Sequence, residues 1–162
     1  MKAENNIAEE QNIRKPKELI FTRIINAPRE LVFDVWTKQE HLEKWFGPDG
    51  FTTTTKEINI AEGGIWRFTM HGPDGKDYTN KIVFTEVKTP QRLAYYHTDD
   101  TAEEKVRFNA EVSFDDLNGK TLLKMRSIFD SEEMLEKVIK ENGAFEGAIQ
   151  HLARLKDYLQ EL

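Results

Sequence analysis

The chain contains 162 residues, of which 38% are hydrophobic and 32% are charged, and it carries a net charge of −6. This length favours one domain with a sizeable core, and the composition is that of a globular protein rather than a disordered one. The negative charge disfavours binding to nucleic acid or anionic lipid, and the lack of cysteine excludes disulfides, thiolate metal sites and thiol nucleophiles.

The first 16 residues are rich in Glu, Asn, Gln and Lys and contain only two isoleucines. Such a segment buries too little apolar surface to offset the entropy lost on ordering. We therefore expect a flexible N-terminal tail over 1–16 and a folded domain over 17–162. The N-terminus has no apolar signal segment, and no apolar run approaches the roughly 20 residues that span a bilayer. We expect a cytoplasmic protein without membrane insertion.

The domain is predicted to begin with one strand and two short helices. Residues 17–25 are rich in β-branched and aromatic side chains, which favours a strand. Pro28 suits the first position of a helix, and apolar residues recur after it at helical spacing. A second short helix is predicted over 41–46, ended by the Gly-Pro-Asp-Gly sequence at 47–50.

The middle of the chain is predicted to be an antiparallel meander. Turn sequences recur about every 10 to 20 residues, as at Gly-Pro-Asp-Gly 72–75 and Asn-Gly 118–119. Apolar and polar residues alternate between these turns, which is typical of half-buried strands. Strands are predicted over 51–60, 65–71, 78–88, 92–98, 108–114 and 121–129.

The C-terminal region is predicted to be helical. Asp130, with Glu133 three residues later, can cap one helix, and Asn142-Gly143 interrupts it. The apolar stripe of the final helix is long enough to lie across a whole sheet; it comprises Phe145, Ala148, Ile149, Leu152, Leu155 and Leu159. This order of elements predicts an α+β fold in which one long helix covers one face of the sheet.

Several longer motifs occur together in this sequence. They are Asn-Ala-Pro-Arg-Glu-Leu-Val-Phe-Asp-Val-Trp at 26–36, His-Leu-Glu-Lys-Trp-Phe-Gly-Pro at 41–48, Gly-Gly-Ile-Trp-Arg-Phe at 63–68, Gly-Pro-Asp-Gly at 72–75, Glu-Val at 86–87 with Pro-Gln-Arg-Leu at 90–93, Gly147, and Gln-His-Leu-Ala-Arg-Leu at 150–155. From about residue 17 to its end the chain resembles the START-like or SRPBCC superfamily, in the branch related to the C-terminal domain of the heat-shock-protein-90 ATPase activator. The resemblance implies a helix-grip fold, in which a curved antiparallel sheet of six to seven strands wraps around a long C-terminal helix. It also implies a cavity between sheet and helix. Members include carriers, cyclases, stress-related proteins and chaperone cofactors, so the fold does not identify one activity.

In such a cavity, inward-facing apolar side chains would contact a hydrophobic ligand. The candidate ligand-binding residues are Trp45, Phe46, Trp66, Phe68, Met70, Tyr95, His97, Met125, Phe145 and Ile149. A filled core explains the same pattern, since apolar stripes at strand and helix spacing are usually core. Trp45 and Phe46 precede the Gly47-Pro48 break, where a loop could gate an entrance, although a tryptophan that caps a hydrophobic core is the commoner case.

The sequence leaves several polar positions open. His97 could face the cavity as a proton carrier, although a surface histidine at a strand end is the commoner case. Either Tyr95 or Tyr96 faces inward, because a shift of one residue in register swaps their faces. Arg67 and Glu86 lie on strands that could be neighbours, which predicts either a solvated ion pair or a polar anchor for a ligand.

No catalytic residue, metal site or cofactor is predicted. The four histidines are far apart in sequence, and none has the helical spacing of paired metal ligands. The acidic segment 99–104 lacks the alternating ligands and central glycine of a calcium loop. Gly63-Gly64 precedes no predicted helix, which indicates a turn or bulge rather than a phosphate-binding loop.

The leading hypothesis is a non-enzymatic binding protein that encloses a small hydrophobic or amphipathic ligand between sheet and C-terminal helix. The first alternative is a chaperone cofactor that stimulates a heat-shock-protein-90-type ATPase. The second is a cyclase-like or hydrolase-like enzyme acting on an aromatic substrate, with His97, Tyr95 or Arg67 as polar groups. The expected partners are accordingly a small hydrophobic molecule or a chaperone, without nucleic acid. An exposed sheet edge would also permit a homodimer.

Overall fold

The computed structural model describes residues 10–162, which contain eight strands and four helices. The strands are β1 (Gln11–Arg14), β2 (Glu18–Ile25), β3 (Thr52–Ile58), β4 (Ile65–His71), β5 (Asp77–Lys88), β6 (Arg92–Thr98), β7 (Val106–Leu117) and β8 (Lys120–Ile128). The helices are α1 (Arg29–Thr37), α2 (Gln39–Trp45), α3 (Glu132–Asn142) and α4 (Ala144–Gln160). The predicted α+β class is confirmed, with two short helices early in the chain and a long helix at its end. Over residues 10–162, no helix has the length and apolarity needed to cross a membrane.

All eight strands form one antiparallel sheet in the order β1-β2-β8-β7-β6-β5-β4-β3. Its register is irregular at three places, beside Thr55, Phe84 and His97. Bulges of this kind bend strands and increase their twist, so the sheet curves and presents a concave face. The sheet exceeds the predicted six to seven strands because β1 adds an edge strand.

Residues 11–14 form β1, so the predicted flexible tail is wrong for this segment. β1 pairs antiparallel with β2 along its whole length. The Glu10 carboxylate also accepts hydrogen bonds from Lys156 on α4, at 2.8 Å, and from the backbone N–H of Ile24, at 3.2 Å. These contacts use backbone groups and charge, which an apolar pattern does not report. Residues 1–9 lie outside the described residues, and their flexibility stays a prediction.

Two caps define the C-terminal helices. The Oγ atom of Ser131 accepts a hydrogen bond from the backbone N–H of Met134 at 3.1 Å, so Ser131 caps α3 in place of the predicted Asp130. Gly143 separates α3 from α4 with a φ of 62°, a left-handed conformation that favours glycine. The predicted interruption at Asn142-Gly143 is therefore confirmed.

The hydrophobic core lies between the concave face of the sheet and the helices. Trp66 and Phe68 of β4 are at most 2% exposed, in agreement with the predicted alternation along this strand. Leu152 and Leu155 of α4 are at most 1% exposed. Burial of each such leucine stabilises the fold by about 1.5–3 kcal/mol, which holds α4 against the sheet.

Candidate ligand-binding cavity

A cavity of 260 Å³ lies between the concave face of the sheet and the first turns of α4. The sheet supplies side chains from six strands, and the loop after α2 supplies Gly47 and Pro48. The apolar residues of its sheet wall include Leu19, Met70, Ile82, Phe108 and Met125. This inner cavity is therefore mostly apolar, as is usual for sites that bind small molecules.

The α4 wall of the inner cavity is built from small residues. Ala144, Gly147 and Ala148 lie on one face of the helix and all line the cavity. Further along the same helix, Leu152 and Leu155 instead fill the space against the sheet. Space remains at the start of α4 because these three positions lack the side-chain volume to reach the sheet.

The inner cavity continues into an outer cleft of 420 Å³ beneath α3. The two spaces share seven lining residues, among them Met70, His97 and Phe129. Charged side chains appear only in the outer cleft, where Arg107 and Glu141 line the wall. The inner cavity is therefore apolar, and the outer cleft that leads to it is more polar.

Five of the ten predicted ligand-binding residues line the inner cavity. They are Phe46, Met70, Tyr95, His97 and Met125. They come from the end of α2, from β4, from two positions of β6 and from β8. Strand alternation thus brings together residues that lie up to 79 positions apart in the sequence.

The predicted residues Trp45, Trp66 and Phe68 belong to the packed core and do not line the cavity. The indole N–H of Trp45 donates to the backbone oxygen of Val35 at 3.0 Å, and Trp45 is 1% exposed. The indole N–H of Trp66 donates to Oγ1 of Thr55 at 3.1 Å. The Trp66 ring stacks on the Phe68 ring, with centroids 3.8 Å apart. The Trp45 ring is therefore fixed inside the core, which is the commoner role of a tryptophan beside such a break.

Phe145 and Ile149 also lie outside the cavity wall. Both are half-buried residues that pack against the core, and the Phe145 ring lies 5.4 Å from that of Phe21. They occupy a different side of α4 from Ala144 and Ala148. An apolar residue on the stripe of this helix therefore reaches the core without reaching the cavity.

His97 and Tyr95 both face the concave side of the sheet, which settles the open choice between Tyr95 and Tyr96. The preferred interpretation of His97 as a surface residue is wrong, because its imidazole lines both cavities. Burial, with a smaller contribution from nearby Arg107, lowers the pKa of His97 to about 3. Burial raises the pKa of Tyr95. Both side chains are uncharged at neutral pH.

His151 on α4 was not predicted from the sequence but lines the inner cavity. Its ring packs edge-on against Phe46, with centroids 4.6 Å apart. Burial, followed by the charge of Arg154, lowers the pKa of His151 to about 3, so this imidazole is also neutral. Its position three residues after Ala148, on the buried stripe of α4, was the signal that could have identified it.

Side chains of α4 hold the loop that closes one end of the cavity. Nδ1 of His151 accepts the backbone N–H of Gly47 at 3.0 Å. Arg154 donates to the backbone oxygens of Gly47 and Pro48 at 2.9 and 2.8 Å. Gln150 accepts the N–H of Asp49 at 3.1 Å. The loop is thereby fixed to the helix, which keeps this wall of the cavity in place.

The predicted pairing of Arg67 with Glu86 is wrong. Arg67 lies opposite Lys81 in the register of β4 and β5, and it forms ion pairs with Glu57 and Asp100 at 3.0 and 3.1 Å. Glu86 pairs with cations on its own side of the sheet, Arg92 at 2.7 Å and Lys88 at 3.0 Å. Arg67 lines neither the inner cavity nor the outer cleft, so it is no ligand anchor there.

A groove of 230 Å³ on the outer face of the sheet has a different character. Arg126 crosses it, with donor–acceptor distances of 2.8 and 3.0 Å to the carboxylate of Glu18 and 3.2 Å to Glu111. Its arginine and glutamate side chains are thus already paired with one another. The concave side is the better candidate for binding a small molecule.

A family model described as Activator of Hsp90 ATPase homolog 1-like protein matches residues 26–160. No curated protein matches the chain significantly. Among solved structures, a protein from Arthrobacter aurescens has a TM-score of 0.84 at 24% sequence identity, covering 94% of this chain and 92% of that one. A protein from Mycobacterium smegmatis has a TM-score of 0.79 at 22% identity, with coverage of 93% and 95%. One from Nitrosomonas europaea also has a TM-score of 0.79 at 22% identity, with coverage of 92% and 97%. These structures share the fold of this chain.

Proposed function

We propose that this chain, which belongs to the family of Activator of Hsp90 ATPase homolog 1-like proteins, is a binding protein that encloses a small hydrophobic or amphipathic molecule. The observation that carries the proposal is the apolar inner cavity at the start of α4. A core of this size is normally close-packed, and three consecutive inward positions of α4 are too small to pack it. A ligand of suitable shape would supply the missing contacts.

The polar groups of the cavity support binding rather than proton transfer. General acid–base catalysis at neutral pH works best with groups whose pKa lies near 7. The pKa of His97 is lowered to about 3, and that of Tyr95 is raised above its ordinary value. Both groups can donate or accept hydrogen bonds but exchange protons poorly near neutral pH. The enzyme hypothesis therefore has less support than the binding hypothesis.

A cavity-filling variant tests the proposal. Ala148→Leu places a larger side chain in the inner cavity, whereas Ala153→Leu adds the same volume on the exposed side of the same helix. Native mass spectrometry of gently purified protein is compared with the denatured mass. We expect a ligand mass on wild type and on Ala153→Leu, and none on Ala148→Leu.

Two results would overturn this function. One is an unshifted native mass for wild type, even after incubation with a mixed extract of lipids and aromatic metabolites. The other is a ligand mass that persists at full occupancy on Ala148→Leu, which would place the bound molecule elsewhere.

A second candidate function follows from the description of the family, stimulation of an Hsp90-type ATPase. It would use a protein-binding surface rather than the cavity, so Ala148→Leu should retain it. Measurement of chaperone ATP turnover with wild type and Ala148→Leu distinguishes the two functions. An increase in turnover with both proteins, together with an unshifted native mass, would favour the chaperone cofactor.

A further inference from the structure

Several polar atoms in the inner cavity have no partner within residues 10–162. In that range, no fully buried side-chain nitrogen or oxygen lacks a hydrogen bond. The Tyr95 hydroxyl and Nδ1 of His97 form no hydrogen bond there, so both atoms must retain accessible surface. Since both side chains line the inner cavity, these atoms are available to a ligand.

The hydrogen-bonding role of His97 is set by Asn80. Nδ2 of Asn80 donates to the backbone oxygen of Tyr78 at 2.9 Å, which orients the amide. Oδ1 of Asn80 then lies 2.7 Å from Nε2 of His97 and accepts a hydrogen bond from its N–H group. A neutral imidazole with hydrogen on Nε2 carries a lone pair on Nδ1. His97 therefore presents an acceptor, and not a donor, to the cavity.

The opposite wall presents a donor. Nδ1 of His151 accepts the backbone N–H of Gly47, so the neutral imidazole carries its hydrogen on Nε2. His151 is 9% exposed and lines the cavity from the helix side. The inner cavity thus has a hydrogen-bond acceptor, Nδ1 of His97, on its sheet wall and a donor, the Nε2–H group of His151, on its helix wall. Apolar side chains line the space between them.

The side chains that line the inner cavity are all uncharged types or neutral histidines. Arg107, the one cation among the described lining residues of the outer cleft, is already paired with Asp99 at 3.1 Å. Arg154, whose charge acts on His151, lies outside the lining of the inner cavity and donates to the backbone oxygens of Gly47 and Pro48. An anion or cation in the inner cavity would lose its hydration without gaining a direct ion pair, which is strongly unfavourable.

We propose that the inner cavity selects an uncharged, mostly apolar molecule that carries a hydroxyl or N–H group donating to Nδ1 of His97. This inference rests on the proposed binding function and narrows its ligand class. A ligand without a donor would shield Nδ1 of His97 from water and leave this acceptor unpaired, and one with a carboxylate would bring an unpaired charge into the inner cavity.

Three probes with the same fused-ring body test the inference: 2-naphthol, 2-methoxynaphthalene and 2-naphthoate. They differ in whether the polar group donates, only accepts, or is ionised at neutral pH. We expect 2-naphthol to bind wild type roughly threefold to tenfold more tightly than 2-methoxynaphthalene, and 2-naphthoate to bind most weakly. Calorimetric titration measures all three affinities.

The variant His97→Phe keeps an aromatic ring and removes the acceptor, so it should bind 2-naphthol and 2-methoxynaphthalene equally. His71→Phe is the matched control, because His71 lines neither cavity and its imidazole is bonded to Asp77 and Thr54. This control should keep the preference of wild type.

A spectroscopic measurement on wild type covers the case in which His97→Phe does not fold. The ¹⁵N resonances of an imidazole report which nitrogen carries the hydrogen. We expect His97 to show hydrogen on Nε2, and its Nδ1 resonance to move on addition of 2-naphthol but not of 2-methoxynaphthalene.

The possible results distinguish failure of the proposed ligand class from failure of the proposed binding function. Equal affinities of wild type for 2-naphthol and 2-methoxynaphthalene, or tighter binding of 2-naphthoate, would overturn the inference and leave a ligand-binding cavity. A preference for 2-naphthol that survives in folded His97→Phe would also overturn it. Failure of all three probes to bind would count against the binding function itself.

Discussion

The two ends of α4 meet the same sheet in different ways. Towards its C-terminus, Leu152 and Leu155 are almost fully buried and pack into the hydrophobic core against the sheet. At its N-terminus, Ala144, Gly147 and Ala148 occupy equivalent inward positions and line a cavity of 260 Å³. The two ends share helical spacing and differ in side-chain volume. Volume at the inward positions therefore decides where this fold is filled and where it is open.

The largest expected effect is in the packed end. Leu155→Ala should lower the free energy of unfolding by about 2–5 kcal/mol, because it removes buried methyl groups and leaves a cavity. Urea denaturation measures this change. Leu155 is fully buried, so a loss below about 1 kcal/mol would show that this end is not close-packed.

An intermediate effect is expected at His151, which lies where the two ends meet. Burial lowers the pKa of His151 to about 3, whereas an exposed histidine titrates near 6.5. Between these pH values the unfolded chain binds one proton more, so stability falls as the pH falls from about 6.5. The loss from this residue approaches about 1.4 kcal/mol per pH unit, or about 2 kcal/mol at pH 5.

The variant His151→Gln isolates this contribution, since the amide oxygen of glutamine can still accept a hydrogen bond but does not titrate. Urea unfolding of both proteins between about pH 7 and about pH 5 should show a steeper loss for wild type. Parallel pH profiles would mean that His151 is not buried in its neutral form.

The smallest expected effect is at the open end. Val138→Ala on α3 removes two methyl groups from a half-buried residue that lines the outer cleft. Because part of its surface already faces open space, the free energy of unfolding should fall by less than about 1 kcal/mol. A loss as large as that of Leu155→Ala in the same urea experiment would remove the distinction between the two ends.

The sequence predicted much of the fold because periodicity reports elements directly. The bounds predicted for β4 and β6 coincide with the strands in the structure. β1 was missed because an edge strand held by backbone pairing carries no apolar alternation. The cap at Ser131 was misplaced by one residue, because Asp130 and Ser131 are both good capping residues.

The candidate site was predicted only in part, because apolar periodicity does not distinguish residues that fill the core from residues that line a cavity. The sequence predicts large aromatic residues as cavity walls, but Trp45 and Trp66 are buried in the core and fill the space around them. The small residues Ala144, Gly147 and Ala148, at spacings of three and one, were the better signal for a cavity. Which partner fixes the imidazole of His97 depends on the register of β5 and β6, which a sequence pattern does not specify.

The most direct test of the account is the location of a bound apolar probe. Naphthalene is titrated into protein labelled with ¹³C at the methyl groups of alanine and leucine, and the shifts induced by its ring are recorded. We predict large shifts at Ala148 and Leu19, with little change at Leu155 and Ala153. Unchanged resonances at Ala148 and Leu19, or larger shifts at Leu155, would contradict the claim that the open end of α4 forms the binding site.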